Sequence, residues 1–158
     1  MFREVARFKQ ALSREECIDI LKQELRGVLS VNGDDGYPYA LPINHFYDER
    51  DGHLYFHSGP KGHKIDAIMQ SDKACFCCYD QGFVKEGDWA LNIKSVIVFG
   101  HVRIVEDREK AIDVSRRLSY KFTSDESYIE YEIAKSGPGV LVFELIPEHI
   151  TGKIVNEK

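Results

Sequence analysis

The residues with the densest chemical potential run His57-Ser58-Gly59-Pro60-Lys61-Gly62-His63-Lys64. Glycines allow close backbone approach, Lys and His supply positive charge, and a strand-to-helix junction leaves N–H groups free, so this stretch could hold a phosphate. It matches neither a Walker loop nor a dinucleotide fingerprint, and the same composition suits a solvated loop; the residues alone leave both readings open. Six histidines are present, but no Gly-x-Ser-x-Gly elbow or His-Glu-x-x-His helix organises them for nucleophilic or metal chemistry. His45 and His53 could join His57 and His63 only in a register that spacing does not fix, although parity puts His53 and His57 on one strand face. Cys75, Cys77 and Cys78 crowd one short segment without a second half-site for zinc, so they read as reduced strand thiols, and no metal is expected.

Elements must position these residues. Ser13-Arg14-Glu15-Glu16 has the form of a capping box, and Cys17, Ile18, Leu21 and Leu25 follow at helical spacing, which predicts a helix over 14–26. Two β-type runs, 27–31 and 37–47, flank the turn Asn32-Gly33-Asp34-Asp35-Gly36, and a second turn leads to 53–57, so three antiparallel strands form a meander by residue 58. A short helix fits 62–70, with strands over 74–79 and 95–105, the latter long enough to bend at Gly100. Asp107 caps a helix carrying Ala111, Val114 and Leu118, a second capping box precedes a helix over 125–135, and Tyr120, Phe122, Tyr128 and Tyr131 read either as ordinary packing of these later helices or as a wall beside a substrate. The chain returns to β at 140–146, halts at Pro147, and makes a last strand from His149 to Val155. The pattern is a mainly β (α+β) domain: an antiparallel barrel, closed or partly closed, with peripheral helices.

The 158 residues fit one domain, without repeats or linkers. A net charge of −5, from 21 Lys+Arg against 26 Asp+Glu, opposes docking on nucleic acid or anionic lipid. No apolar run reaches membrane-spanning length and the first residues lack a signal core, so a cytoplasmic protein is expected.

The ordered set of an opening helix, Gly27-Val28-Leu29-Ser30, the stretch from Gly36 to Asn44, Asp51 to His57, Gly62-His63-Lys64, Ser95 to Gly100 and His149-Ile150-Thr151-Gly152-Lys153 resembles the pyridoxamine 5′-phosphate oxidase-related FMN-binding split-barrel family. Within it the chain most resembles the nitroimidazole-resistance (Nim-like) flavoproteins, over about residues 3 to 155. The resemblance implies an antiparallel split β-barrel that binds FMN at a homodimer interface, each site using both subunits. It implies Pro42, Ile43 and Asn44 along the isoalloxazine edge, His57 and Ser58 beside the ribityl phosphate, His63 and Lys64 on the phosphate with Lys61 as helper, and Ser95 and Val96 on a strand approaching the flavin. His57 is the candidate proton donor. Flavin supplies hydride transfer itself, so no visible catalytic triad is needed. The activity implied is reduction of small electron-poor compounds such as nitroaromatics, with reduced nicotinamide as donor; the alternative is a non-catalytic flavin- or haem-binding or sensing module. Pyridoxamine phosphate oxidases carry a further basic C-terminal segment and an arginine where Ala40 stands, so true pyridoxamine phosphate oxidase activity is not expected.

Overall fold

The computed structural model describes residues 1–157. Eight strands and four helices follow in the order α1 (Arg14–Gln23), β1 (Arg26–Asn32), β2 (Pro38–Asn44), β3 (Phe46–Asp48), β4 (His53–Ser58), α2 (His63–Gln70), β5 (Lys73–Tyr79), β6 (Phe83–Val84), β7 (Leu91–Ile104), α3 (Arg108–Ser119), α4 (Glu126–Ser136) and β8 (Leu141–Asn156). The sheet order is β2-β1-β5-β7-β8-β4-β3, with β6 on β7 and every pairing antiparallel. β2 approaches β4 without sharing a ladder with it, so the curled sheet is a split barrel. Alternate residues of the strands, among them Leu29, Val31, Phe56, Phe76, Val96, Val98 and Phe143, fill its interior. A second cluster of Tyr55, Val105, Ala111, Val114 and Val142 lies under α3.

Capping chemistry starts the helices as their sequences predict. Glu16 N–H donates to Ser13 Oγ at 3.2 Å and Ser13 N–H donates to Glu16 Oε2 at 2.9 Å, while the Asp107 carboxylate accepts from Glu109 and Lys110. Among the described residues, no helix is long and apolar enough to cross a membrane.

Three expectations need correction. The run 37–47 breaks at His45, so β2 pairs with β1 while β3 pairs with β4 at the far end of the sheet order, and the meander does not form. The break is held from a distance: the fully buried His45 ring bonds through Nε2 to the Leu21 carbonyl at 2.7 Å, and Lys121 Nζ donates to the carbonyls of His45 (2.8 Å) and Glu24 (2.6 Å). The last β-run does not halt at Pro147. That residue sits opposite Gly100, where the register shifts between Phe99 and Gly100, and β8 continues for 16 residues. A proline is tolerated at such a bulge because the ladder is already interrupted, and a Cβ on Gly100 would lie 2.1 Å from the Ile146 carbonyl oxygen. Finally, Tyr120, Phe122, Tyr128 and Tyr131 are not packed away but 42% to 60% exposed.

Candidate anion-binding site at the split

The β4–α2 junction opens beside β2. Gly62 takes φ 119°, a conformation only glycine adopts easily, and no side chain caps the α2 start. The N–H groups of Ile65 and Asp66 turn back to the Gly62 carbonyl at 2.9 and 3.1 Å, leaving those of His63 and Lys64 without an acceptor among the described residues. A helix start with free N–H groups attracts an anion through both hydrogen bonds and the helix dipole.

Cationic side chains stand around this opening. Lys64 is half-buried and has no carboxylate partner among the described residues; burial pulls its ammonium below the ordinary lysine pKa. His57, at the end of β4, is likewise held below the ordinary imidazole range, first by the atoms crowding it and then by the Lys64 charge, so its ring is neutral at pH 7. His63 stacks on Tyr39, ring centroids 4.1 Å apart, and its Nε2 lies 3.5 Å from the Asp34 carboxylate. These two contacts tie α2 to the β1–β2 hairpin. Ser58 Oγ donates to the Gly59 carbonyl at 2.7 Å, and Lys61 is exposed in the loop between.

The predicted residues therefore divide. His57, Ser58, Lys61, His63 and Lys64 share the junction, and β2 brings Pro42, Ile43 and Asn44 along the split. Pro42 points outward, Asn44 is half-buried, and the Ile43 side chain packs against the core. Val96 is fully buried in the core, so only its backbone is offered to a ligand. Ser95 lies on the outer face, off the junction: the row Pro42, Val28, Cys77, Ile97 crosses three strand spacings, roughly 14 Å along the sheet, and Ser95 stands at the far side beside Ile97.

Sequence reasoning did not find Tyr39 and Asp34, because only the folded hairpin brings them to α2. Nor did it find the charged network on β4 and β8. Glu144 is 2% exposed and accepts from His53 Nδ1 at 2.9 Å, while Lys110 Nζ stands 3.5 Å away and Arg103 pairs with its other oxygen. Asp51, His53 and Glu144 offer ligand atoms within 4.8 Å of one another, but Lys110 already brings its positive charge to both carboxylates.

A split β-barrel with an uncapped, cation-flanked helix start defines the class of protein. The sequence model of the pyridoxamine 5′-phosphate oxidase family matches residues 13–154, and the chain belongs to that family. No curated protein matches it by sequence. Among solved structures, a candidate 5-nitroimidazole antibiotic resistance protein from Bacteroides thetaiotaomicron superposes with a TM-score of 0.78 at 22% identity, covering 92% of this chain and 87% of its own. An FAD-binding protein from Mesorhizobium loti reaches 0.66 at 22% identity, covering 92% and 97%. An FAD and heme binding protein from Mycobacterium smegmatis reaches 0.74 at 18% identity, covering 95% and 74%. At these identities the likeness establishes the fold.

Proposed function

We propose that the chain is an FMN-holding oxidoreductase that acts as a homodimer and reduces small electron-poor compounds, with reduced nicotinamide as electron donor. The observation that carries this reading is the uncapped α2 start with Lys64 unpaired beside it, a fit for a dianionic phosphate. In this reading Lys64 and the free N–H groups hold the phosphate, with Lys61 and His63 adding positive charge at the rim. β2 runs about 20 Å from the α2 end to Asn44, a length that suits an extended mononucleotide, and its outward backbone groups face the polar ring edge.

Bound flavin would supply the hydride chemistry, and the chain's own residues bind, orient and manage protons. His57 is neutral at pH 7, which suits it to exchanging a proton with substrate through a ring nitrogen better than to holding the phosphate as a cation. Ser95 enters from a second copy, because in one chain it lies too far along the sheet from Pro42 to share a ring. The homodimer is supported by the apolar outer face of β2, β1, β5 and β7, where Val28 and Phe99 are 37% and 38% exposed beside Cys77 and Ile97.

The test is a visible absorption scan of the purified protein, repeated after adding FMN and removing the excess by gel filtration. The expected result is flavin retained at one per chain on a dimer, with nicotinamide-dependent bleaching; no retained flavin overturns the reading.

A further inference from the structure

Where α3 meets the β3–β4 turn, a cavity of about 290 Å³ has no part in the flavin reading. Its volume suits a small ligand and not a nucleotide. Four cations, Lys22, Arg50, Arg117 and Lys121, line it against the carboxylates of Asp48 and Glu49. Three of the four are paired: Lys22 Nζ stands 2.9 Å from Glu49, Arg117 donates to Asp48 at 2.6 Å and to Asp113 at 3.0 Å, and Arg50 lies 3.9 Å from Asp113. Lys121 is not. Its half-buried ammonium donates to the carbonyls of Glu24 and His45, and no carboxylate pairs with it among the described residues. Those neutral acceptors take two of three N–H groups and leave a whole positive charge uncompensated. The other groups facing Lys121 do little to balance it. Burial brings His45 down to about 3 and pushes Cys78 up to about 12, so both are neutral at pH 7, and Glu24 attracts only from beyond ion-pair distance. Burial therefore dominates and brings Lys121 to about 8.

We infer that this cavity binds a small monocarboxylate, with its oxygens on Lys121 and Arg117 and its short alkyl chain against Phe46. Charge sets the valence: one unpaired ammonium is neutralised by one negative charge, whereas a dianion would bring a surplus against Asp48 and Glu49. The donors are available, because Arg117 spends Nε on Asp113 and Nη2 on Asp48 and keeps Nη1 free among the described residues. The Phe46 ring, 4.8 Å beneath the Arg117 guanidinium, supplies the apolar wall. A bound carboxylate also holds Lys121 in its charged form, and with it the two carbonyl bonds that keep β2 from running on into β3.

The probe is propionate, titrated calorimetrically into the purified full chain in a zwitterionic buffer, with sulfate as the dianionic comparison. Saturable binding is expected at one per chain, tighter than that of sulfate. Affinity should fall about tenfold between pH 7 and pH 9, because a group titrating near 8 loses its charge over that interval. Lys121→Met should abolish binding. Since that substitution also removes two hydrogen bonds from the fold, Arg50→Glu is the second variant: its side chain is 73% exposed, and reversing its charge should weaken propionate about fivefold while the melting temperature stays unchanged. Lys64→Met should leave propionate binding as it is, since that lysine belongs to the α2 start. Absence of binding overturns the inference, as does binding that ignores pH or Arg50→Glu, tighter binding of sulfate, or loss of propionate in Lys64→Met, which would move the anion to the junction.

Discussion

Replacing Lys64 with Met should push flavin affinity and the stability of the empty protein in opposite directions. The ammonium is half-buried, has no carboxylate partner among the described residues, and is held below the usual lysine pKa by burial alone. In the flavin-free protein it is therefore a cost: the unfolded chain holds that proton more firmly than the folded one, so stability rises as pH climbs from the folded pKa toward the unfolded value. Met keeps the aliphatic stem packing and removes the charge, so the empty variant should melt at the same temperature or higher, without that alkaline rise. With FMN present the sign reverses. Losing a charge-assisted hydrogen bond costs about 1.5–3 kcal/mol, or about 10- to 100-fold in dissociation constant. Flavin fluorescence titration reads the affinity and thermal denaturation of the stripped protein reads the stability. Unchanged affinity would remove Lys64 from the phosphate site, and a lower melting temperature for the empty variant would show that the ammonium has a stabilising partner.

Four further outcomes follow from the structure. Ser95→Trp should alter the bound-flavin spectrum at full occupancy; an identical spectrum would show that this strand faces another ligand. Ile97→Asp places an unpaired charge on the apolar outer face and should yield monomers by light scattering together with loss of flavin, whereas an intact dimer would move the interface elsewhere. Gly100→Ala should lower unfolding free energy by about 3 kcal/mol, because the added carbon meets the Ile146 carbonyl and β8 must shift; a denaturant-measured loss below about 1 kcal/mol would contradict the register. For Glu144, burial alone would raise the pKa, but hydrogen bonds from His53 and Arg103, with the Tyr55 hydroxyl nearby and the Lys110 charge, outweigh it and bring the carboxyl to about 2. Its folded pKa is depressed, so its stabilisation is present above the unfolded value of 4.5 and is lost as pH falls toward 2. Glu144→Gln should cost about 3 kcal/mol at pH 7 and flatten that acid limb of the stability curve; an unchanged slope would refute the network's role.

What could be read before folding was local. The Ser13 and Asp107 caps, the strand runs of β5 and the later part of β7, and the helix after Gly62 all depend on residues within a few positions of one another, and each appears near its expected place. The junction was legible for the same reason, since His57 to Lys64 is one continuous segment. The break at His45 was not, because Lys121, 76 positions away, supplies the hydrogen bond that ends β2. Pro147 reads as a strand terminator until Gly100 appears opposite it, and that pairing is a property of the sheet. Parity could show that Ser95 and Val96 face opposite sides, but not which side is the core.

The place of β8 in the sheet also sets an order of events. The β3–β4 hairpin joins the rest of the sheet only through β8, which lies between β7 and β4 although it is the last strand along the chain. During synthesis, that hairpin can close its own turn early but must wait for β8 before its outer edge finds a partner. Until then one edge of β7 and one of β4 stand open, both capable of pairing with a neighbouring chain. Ribosome-bound chains that stop short of Leu141 should therefore be the aggregation-prone species, and the final strand is the piece that turns two unfinished sheets into one barrel.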